Sequence, residues 1–120
     1  MSGVTYHKGL ASGEWQKLTL MEQLGNIGSE VGRTIKWFKS NNTERFRISF
    51  EKALELIDLT IADSRWKYRL KEITRSRELF CSLMTEPERH ENLDKELDTL
   101  ENYFFQFGVA AGLQREKKSL

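Results

Sequence analysis

The sequence is poor in several residue types, and each scarcity excludes something. Of 120 residues, one is cysteine and one is proline. A single thiol closes no internal disulfide, and with only two histidines beside it the chain offers a poor zinc set. One proline leaves few enforced breaks in helical stretches. Net charge is also scarce: 19 Lys and Arg against 18 Asp and Glu leave +1. That removes long-range attraction to nucleic acid or to a charged membrane surface, so only local patches need weighing. No apolar run reaches the roughly 18 residues a transmembrane helix requires. Residues 1–13 carry Lys8 and scattered Gly and Ser but no apolar centre of a secretory signal. With one free thiol, the expectation is a cytoplasmic protein without a membrane partner. Residues 1–14 are expected to be a flexible leader and residues 15–120 a single domain large enough to bury a core.

What is present is helical periodicity. Leu20, Leu24, Ile27, Val31, Ile35 and Phe38 step by four, three, four, four and three, one stripe of a first helix. Thr19 with Glu22 three residues on marks its start as a capping box, and Ser40, Asn41 and Asn42 end it. A second helix runs from near Thr43 to about Ala62, with Phe46, Phe50, Ala53, Ile57 and Ile61 on one face and Ile48, Leu56 and Leu59 on another. The third is expected from about Ser64 to Met84, with Trp66, Leu70, Ile73, Phe80 and Met84 inward and Pro87 beyond its end. A fourth, from about Asn92 to Gln114, aligns Leu93, Leu97, Leu100, Phe104, Phe107 and Ala111. Short connections and the absence of alternating strand patterns predict an all-α fold, a four-helix antiparallel up-and-down bundle.

Charge is polarised along the chain despite the global balance. Between Arg65 and Arg77 stand six basic residues and one acid. On a continuous helix Lys67, Lys71 and Arg75 form one outward row, with Arg65 and Arg69 on the opposite flank. A phosphate backbone laid across this face, with Trp66 or Tyr68 stacking on bases, is one reading; salt bridges to neighbouring helices are the other. Glu86, Glu88, Glu91, Asp94, Glu96, Asp98 and Glu101 form an acidic counterpart against Arg89 and Lys95, a pattern suited to head-to-tail association as well as to solubility.

Three features are sharper. Arg77 lies seven residues after Leu70 and seven before Met84, inside the apolar stripe, which predicts a buried ion pair with Glu30 or with the Glu51, Glu55 and Asp58 row. Gly25, Gly28 and Gly32 share one flank of the first helix. Each costs about 1 kcal/mol of helix stability relative to Ala, so a close approach by another backbone, within the domain or between protomers, is expected. The fourth helix is apolar over most of its circumference, which makes Phe105 and Val109, off the main stripe, candidates for burial against another subunit.

No catalytic constellation stands out. His7 falls in the expected leader, His90 in an acidic stretch, and Cys81 on a helix flank reads as a packed thiol. No Glu-x-x-His pair suggests a di-metal bundle, so no metal or cofactor is expected. The segments Glu22-Gln23-Leu24-Gly25-Asn26-Ile27-Gly28-Ser29-Glu30-Val31, Ala53-Leu54-Glu55-Leu56-Ile57-Asp58-Leu59-Thr60-Ile61-Ala62-Asp63-Ser64-Arg65-Trp66 and Tyr103-Phe104-Phe105-Gln106-Phe107 together resemble a family of small uncharacterised prokaryotic helical proteins, some associated with diversity-generating retroelements. The resemblance extends from Trp15 to Leu113. It implies an accessory protein beside a reverse transcriptase and its RNA or cDNA, with Arg65, Lys67, Arg69, Lys71 and Arg75 as the nucleic-acid face, and it brings no catalytic motif. The sequence thus predicts a non-catalytic interaction protein, a homo-oligomer or the binder of a protein partner, with nucleic-acid binding as the alternative.

Overall fold

The structure is a computed structural model and describes residues 6–119. Every regular element among the described residues is helical. Four long helices, α1 (Leu20–Lys39), α2 (Thr43–Ile61), α3 (Leu70–Thr85) and α4 (Leu93–Ser119), are accompanied by a π-helical turn at Leu10–Glu14 and 3₁₀ segments at Trp15–Lys17, Ser64–Arg69 and Pro87–Arg89. The fold is all-α, in more helical pieces than the four expected.

Local chemistry explains the ends of α1. The Thr19 hydroxyl accepts from the Glu22 N–H at 3.2 Å, and Glu22 Oε1 accepts from the Thr19 N–H at 2.9 Å. This capping box satisfies two orphan donors and is worth about 1 kcal/mol. At the other end Asn41 takes a left-handed φ of 57°. Asn42 N–H then reaches Trp37 O at 3.0 Å and Asn41 N–H reaches Phe38 O at 3.3 Å, the paired bonds of a Schellman stop. Asn42 Oδ1 at once accepts from Arg45 N–H at 3.1 Å and opens α2. Three polar residues therefore reverse the chain.

The stripes meet as their periods dictate. Leu24, Ile27, Val31 and Ile35 of α1, Ala53, Leu56 and Ile57 of α2, Ile73, Phe80, Leu83 and Met84 of α3, and Leu97, Leu100, Phe104 and Phe107 of α4 are all buried. The α1 helix packs extensively along both α2 and α4, while α3 touches α2 and α4 more sparingly. Phe50 against Phe80, rings 5.1 Å apart, is the aromatic centre of the α2–α3 contact.

Two expectations need correction. Residues 1–5 of the expected leader lie outside the described residues, but the segment that begins at Tyr6 is docked on α2. Backbone N–H groups of Tyr6 and His7 donate to the Glu55 carboxylate at 3.1 Å, His7 Nδ1 lies 3.1 Å from Glu55 Oε1, and the Tyr6 hydroxyl donates to Glu51 Oε1 at 2.6 Å. Trp15 anchors the far end of this segment to the core: it is 1% exposed, with Nε1 donating to Thr60 Oγ1 at 2.9 Å. Gly13, at φ 119°, supplies the bend that an L side chain would resist.

The second correction concerns the third helix, which begins at Leu70 rather than at Ser64, behind a 3₁₀ segment kinked at Trp66. Side-chain hydrogen bonds override the local period here. Asp63 accepts from Arg65 N–H at 3.1 Å and from its guanidinium, while Trp66 Nε1 donates to Gln23 Oε1 at 3.0 Å. The helical phase shifts, and Leu70, expected inward, is exposed.

Candidate interaction faces

The glycine flank of α1 rests on α4. A Cβ on Gly25 would stand 3.0 Å from Gly108 Cα, and one on Gly28 would stand 2.7 Å from Phe104 Cβ. Neither leaves room for a methyl group, so the two helices approach as glycine alone permits. Gly32 is different: its nearest neighbour would be Glu101 Oε2 at 4.0 Å, so the close-approach expectation fails there.

Beside this seam a groove of about 470 Å³ opens, and Gly25, Gly28, Phe105 and Val109 all line it. Phe105 is 70% exposed and Val109 47%; Leu113, four residues on, is 55% exposed. The structure thus brings four of the five expected interface residues to one place and leaves Gly32 out. Leu113 escaped sequence reasoning, although its spacing of four from Val109 was the available signal.

The basic segment is divided by its 3₁₀ start. Arg65 forks onto Asp63, with Nη2 to Oδ2 at 2.6 Å, and also donates to Leu18 O at 2.9 Å. Arg69 pairs with Glu72 at 3.2 Å. Both therefore belong to intramolecular pairs rather than to an open row. Lys67, Lys71 and Arg75 are exposed, but the row expected of them is broken, because Lys67 precedes the α-helical phase of the other two. Tyr68, next to Lys67 in the chain, is 76% exposed, its ring 6.3 Å from that of Trp66.

Arg77 finds one of its expected partners, with Nε donating to Asp58 Oδ1 at 2.9 Å. The pair is not buried, however. The arginine side chain is 34% exposed and Asp58 more so, because the buried face of α3 centres on Ile73, Phe80 and Leu83 and leaves Arg77 at its edge. Bonding to Asp58 raises the Arg77 pKa. Cys81, 3.9 Å from Arg77 Nη1, is half-buried, and burial raises its thiol pKa more than the arginine lowers it. That is the opposite of thiolate activation.

One constellation was invisible in the sequence. Ser82 Oγ lies 2.8 Å from His90 Nε2, and His90 Nδ1 lies 2.9 Å from Glu96 Oε2. In a neutral ring with the proton on Nδ1 facing the carboxylate, Nε2 is the nitrogen that accepts from the serine hydroxyl. The sequence of roles is that of a nucleophile, a base and its orienter. Ser82 sits in the last turns of α3, where backbone N–H groups are committed to the helix. Its evident work is to join α3 to α4 through the intervening 3₁₀ segment.

Among the described residues no group of three or more His, Cys, Asp or Glu is placed to hold a metal ion, and no helix is long and apolar enough to cross a membrane. No family model, curated protein or solved structure matches the chain.

Proposed function

We propose that this chain is a non-catalytic helical interaction module that self-associates through the outer face of α4. The carrying observation is the row Phe105, Val109 and Leu113, exposed at four-residue spacing beside the groove over Gly25 and Gly28. Single exposed apolar residues are ordinary, whereas a contiguous row flanking a groove is the surface that association removes from water. Each such side chain contributes about 1.5–3 kcal/mol when fully buried, against the entropy lost on association. Contacts between helices support reading the scaffold as an antiparallel up-and-down bundle: Phe38 meets Phe46, Phe50 meets Phe80, and Tyr103 meets Glu72.

Light scattering across a concentration series tests the proposal. At high salt, which weakens charge-driven contacts, the unmodified chain is expected to associate, and Phe105→Asp with Val109→Asp to give a folded monomer with unchanged circular dichroism. A strict monomer of the unmodified chain at high concentration overturns it.

A second reading, a nucleic-acid accessory role, is favoured by the exposed Tyr68 in the same basic stretch of chain as the exposed Lys67, Lys71 and Arg75. An aromatic face among cations suits base stacking and phosphate contact. Binding of single-stranded RNA or DNA at low salt, weakened by Lys67→Ala, Lys71→Ala and Arg75→Ala and by Tyr68→Ala, is the expected signature. Absence of binding at low salt removes this reading.

A further inference from the structure

At the pole where the α1–α2 connection meets the α3–α4 connection lies a groove of about 590 Å³, lined by the apolar Trp37, Phe38, Phe46, Met84 and Pro87 together with Lys39 and the polar turn 41–43. We infer that this pole is a self-complementary docking surface for a second copy of the chain, related by a two-fold axis through the groove. Charge is divided unevenly across it. On the α1–α2 side Lys36, Lys39 and Arg45 are exposed and outnumber Glu44. Past Pro87, which lines the groove, the chain continues through the exposed Glu88 and Glu91, with Arg89 between them engaged by Glu86 at 3.0 Å. Among the described residues Lys36, Lys39, Arg45, Glu88 and Glu91 form no ion pair with one another or with any other side chain, although both signs occur at one end of the molecule.

A surface with cations on one rim, an apolar floor and acids on the other rim is matched by its own copy. Rotation by 180° about the centre places the cations of each protomer on the acids of the other and the two floors face to face. A two-fold contact is isologous, so every pairing is made twice. Superposing like rims would instead set like charges together, and that repulsion selects the rotated arrangement. The cationic rim is also held in place: Lys36 Nζ lies 4.9 Å and Arg45 Cζ 4.8 Å from the centre of the Trp37 ring. Cation–π contacts of this kind reduce the ordering needed on binding. This surface lies apart from the α4 row, and docking at the pole does not require association through α4.

The test uses full-length chain carrying Phe105→Asp to silence the α4 face, with sedimentation velocity at low and high salt. The parent is expected to dimerise at low salt, with a dissociation constant at least about tenfold weaker at high salt. Lys39→Glu with Arg45→Glu makes both rims acidic, and Glu88→Lys with Glu91→Lys makes both basic. Each variant alone is expected to be monomeric, their 1:1 mixture to form a heterodimer, and all four changes in one chain to restore the homodimer. Melting curves check that each variant is folded. A parent that stays monomeric at low salt, reversed variants that associate as well as the parent, or a mixture that stays monomeric would each overturn the inference. Failure of the unmodified chain to associate at high salt bears only on the α4 proposal.

Discussion

Asp63 is the most heavily bonded side chain in the molecule's buried polar network. Its carboxylate accepts from Gln23 Nε2 at 3.2 Å and from the backbone and guanidinium of Arg65, while Gln23 also donates to Trp15 O at 2.9 Å. Hydrogen bonding to Arg65 lowers the Asp63 pKa, against an opposing effect of burial. A lowered folded pKa means stability that is present above the ordinary carboxylate range and lost as pH falls through the folded value. Asp63→Asn is expected to cost about 1–3 kcal/mol, tempered because Arg65 is half exposed, and to flatten the acid limb of stability measured by urea unfolding across pH. An unchanged acid limb would place that titration elsewhere. Tyr103 provides the alkaline counterpart. Its hydroxyl donates to Glu72 Oε1 at 2.6 Å, and burial first, then Glu72, raise its pKa. Its contribution is present up to the ordinary phenol range and lost as pH rises toward the raised value. Tyr103→Phe should remove that alkaline decline and cost about 1 kcal/mol.

Within α1, one helix carries three glycines whose replacement has opposite consequences. Alanine in place of a helical glycine stabilises an open helix by about 1 kcal/mol. Gly32 has room around it, so Gly32→Ala should raise the melting temperature. Gly25 faces the backbone of Gly108 and Gly28 faces Phe104 Cβ, so Gly25→Ala and Gly28→Ala should lower it, by about 1–3 kcal/mol of overpacking, despite the gain in propensity. A rise for all three would mean that α4 is not seated on α1. The sequence displayed the cluster and its need for a neighbour, but nothing local separates Gly32 from the other two, because the distinction lies in where α4 crosses. The third helix shows the same limit from the other side. Its apolar period continues back to Trp66, yet hydrogen bonds with Asp63 and Gln23 hold residues 64–69 in a 3₁₀ path and turn Leu70 outward.

For the whole molecule, the near cancellation of charge conceals its distribution. A basic hairpin tip borders an acidic α3–α4 corner at one pole, while Lys67, Lys71 and Arg75 lie toward the other, on the chain after α2. The association expected of α4 is driven by apolar area and should persist at high salt, whereas the pole contact should weaken. Sedimentation of the unmodified chain over a salt series separates them: a salt-resistant fraction lost with Phe105→Asp belongs to α4, and the remainder to the pole. The N-terminal segment also depends on the folded whole. Tyr6 and His7 close on Glu51 and Glu55 across 45 to 49 positions of chain, a contact that a Gly- and Ser-containing stretch does not announce. Glu55→Ala is expected to expose that segment to limited proteolysis before the helices are cut, with Trp15 still anchored.

Determined by the sequence alone were the all-α class, the inward stripes of α1 and α4, the Thr19 and Glu22 cap, the Asn-rich reversal and the off-stripe positions of Phe105 and Val109. These follow from bonds and periods spanning at most a few turns of chain. Only the tertiary structure decided that Trp15, Gln23, Thr60, Asp63 and Trp66 share one network, that Asp58 rather than Glu30 meets Arg77, that His90 joins Ser82 to Glu96, and which glycines touch α4. Most of these contacts join residues on different elements, whose mutual placement is set by packing of the whole core, and such contacts leave no periodic trace along the chain.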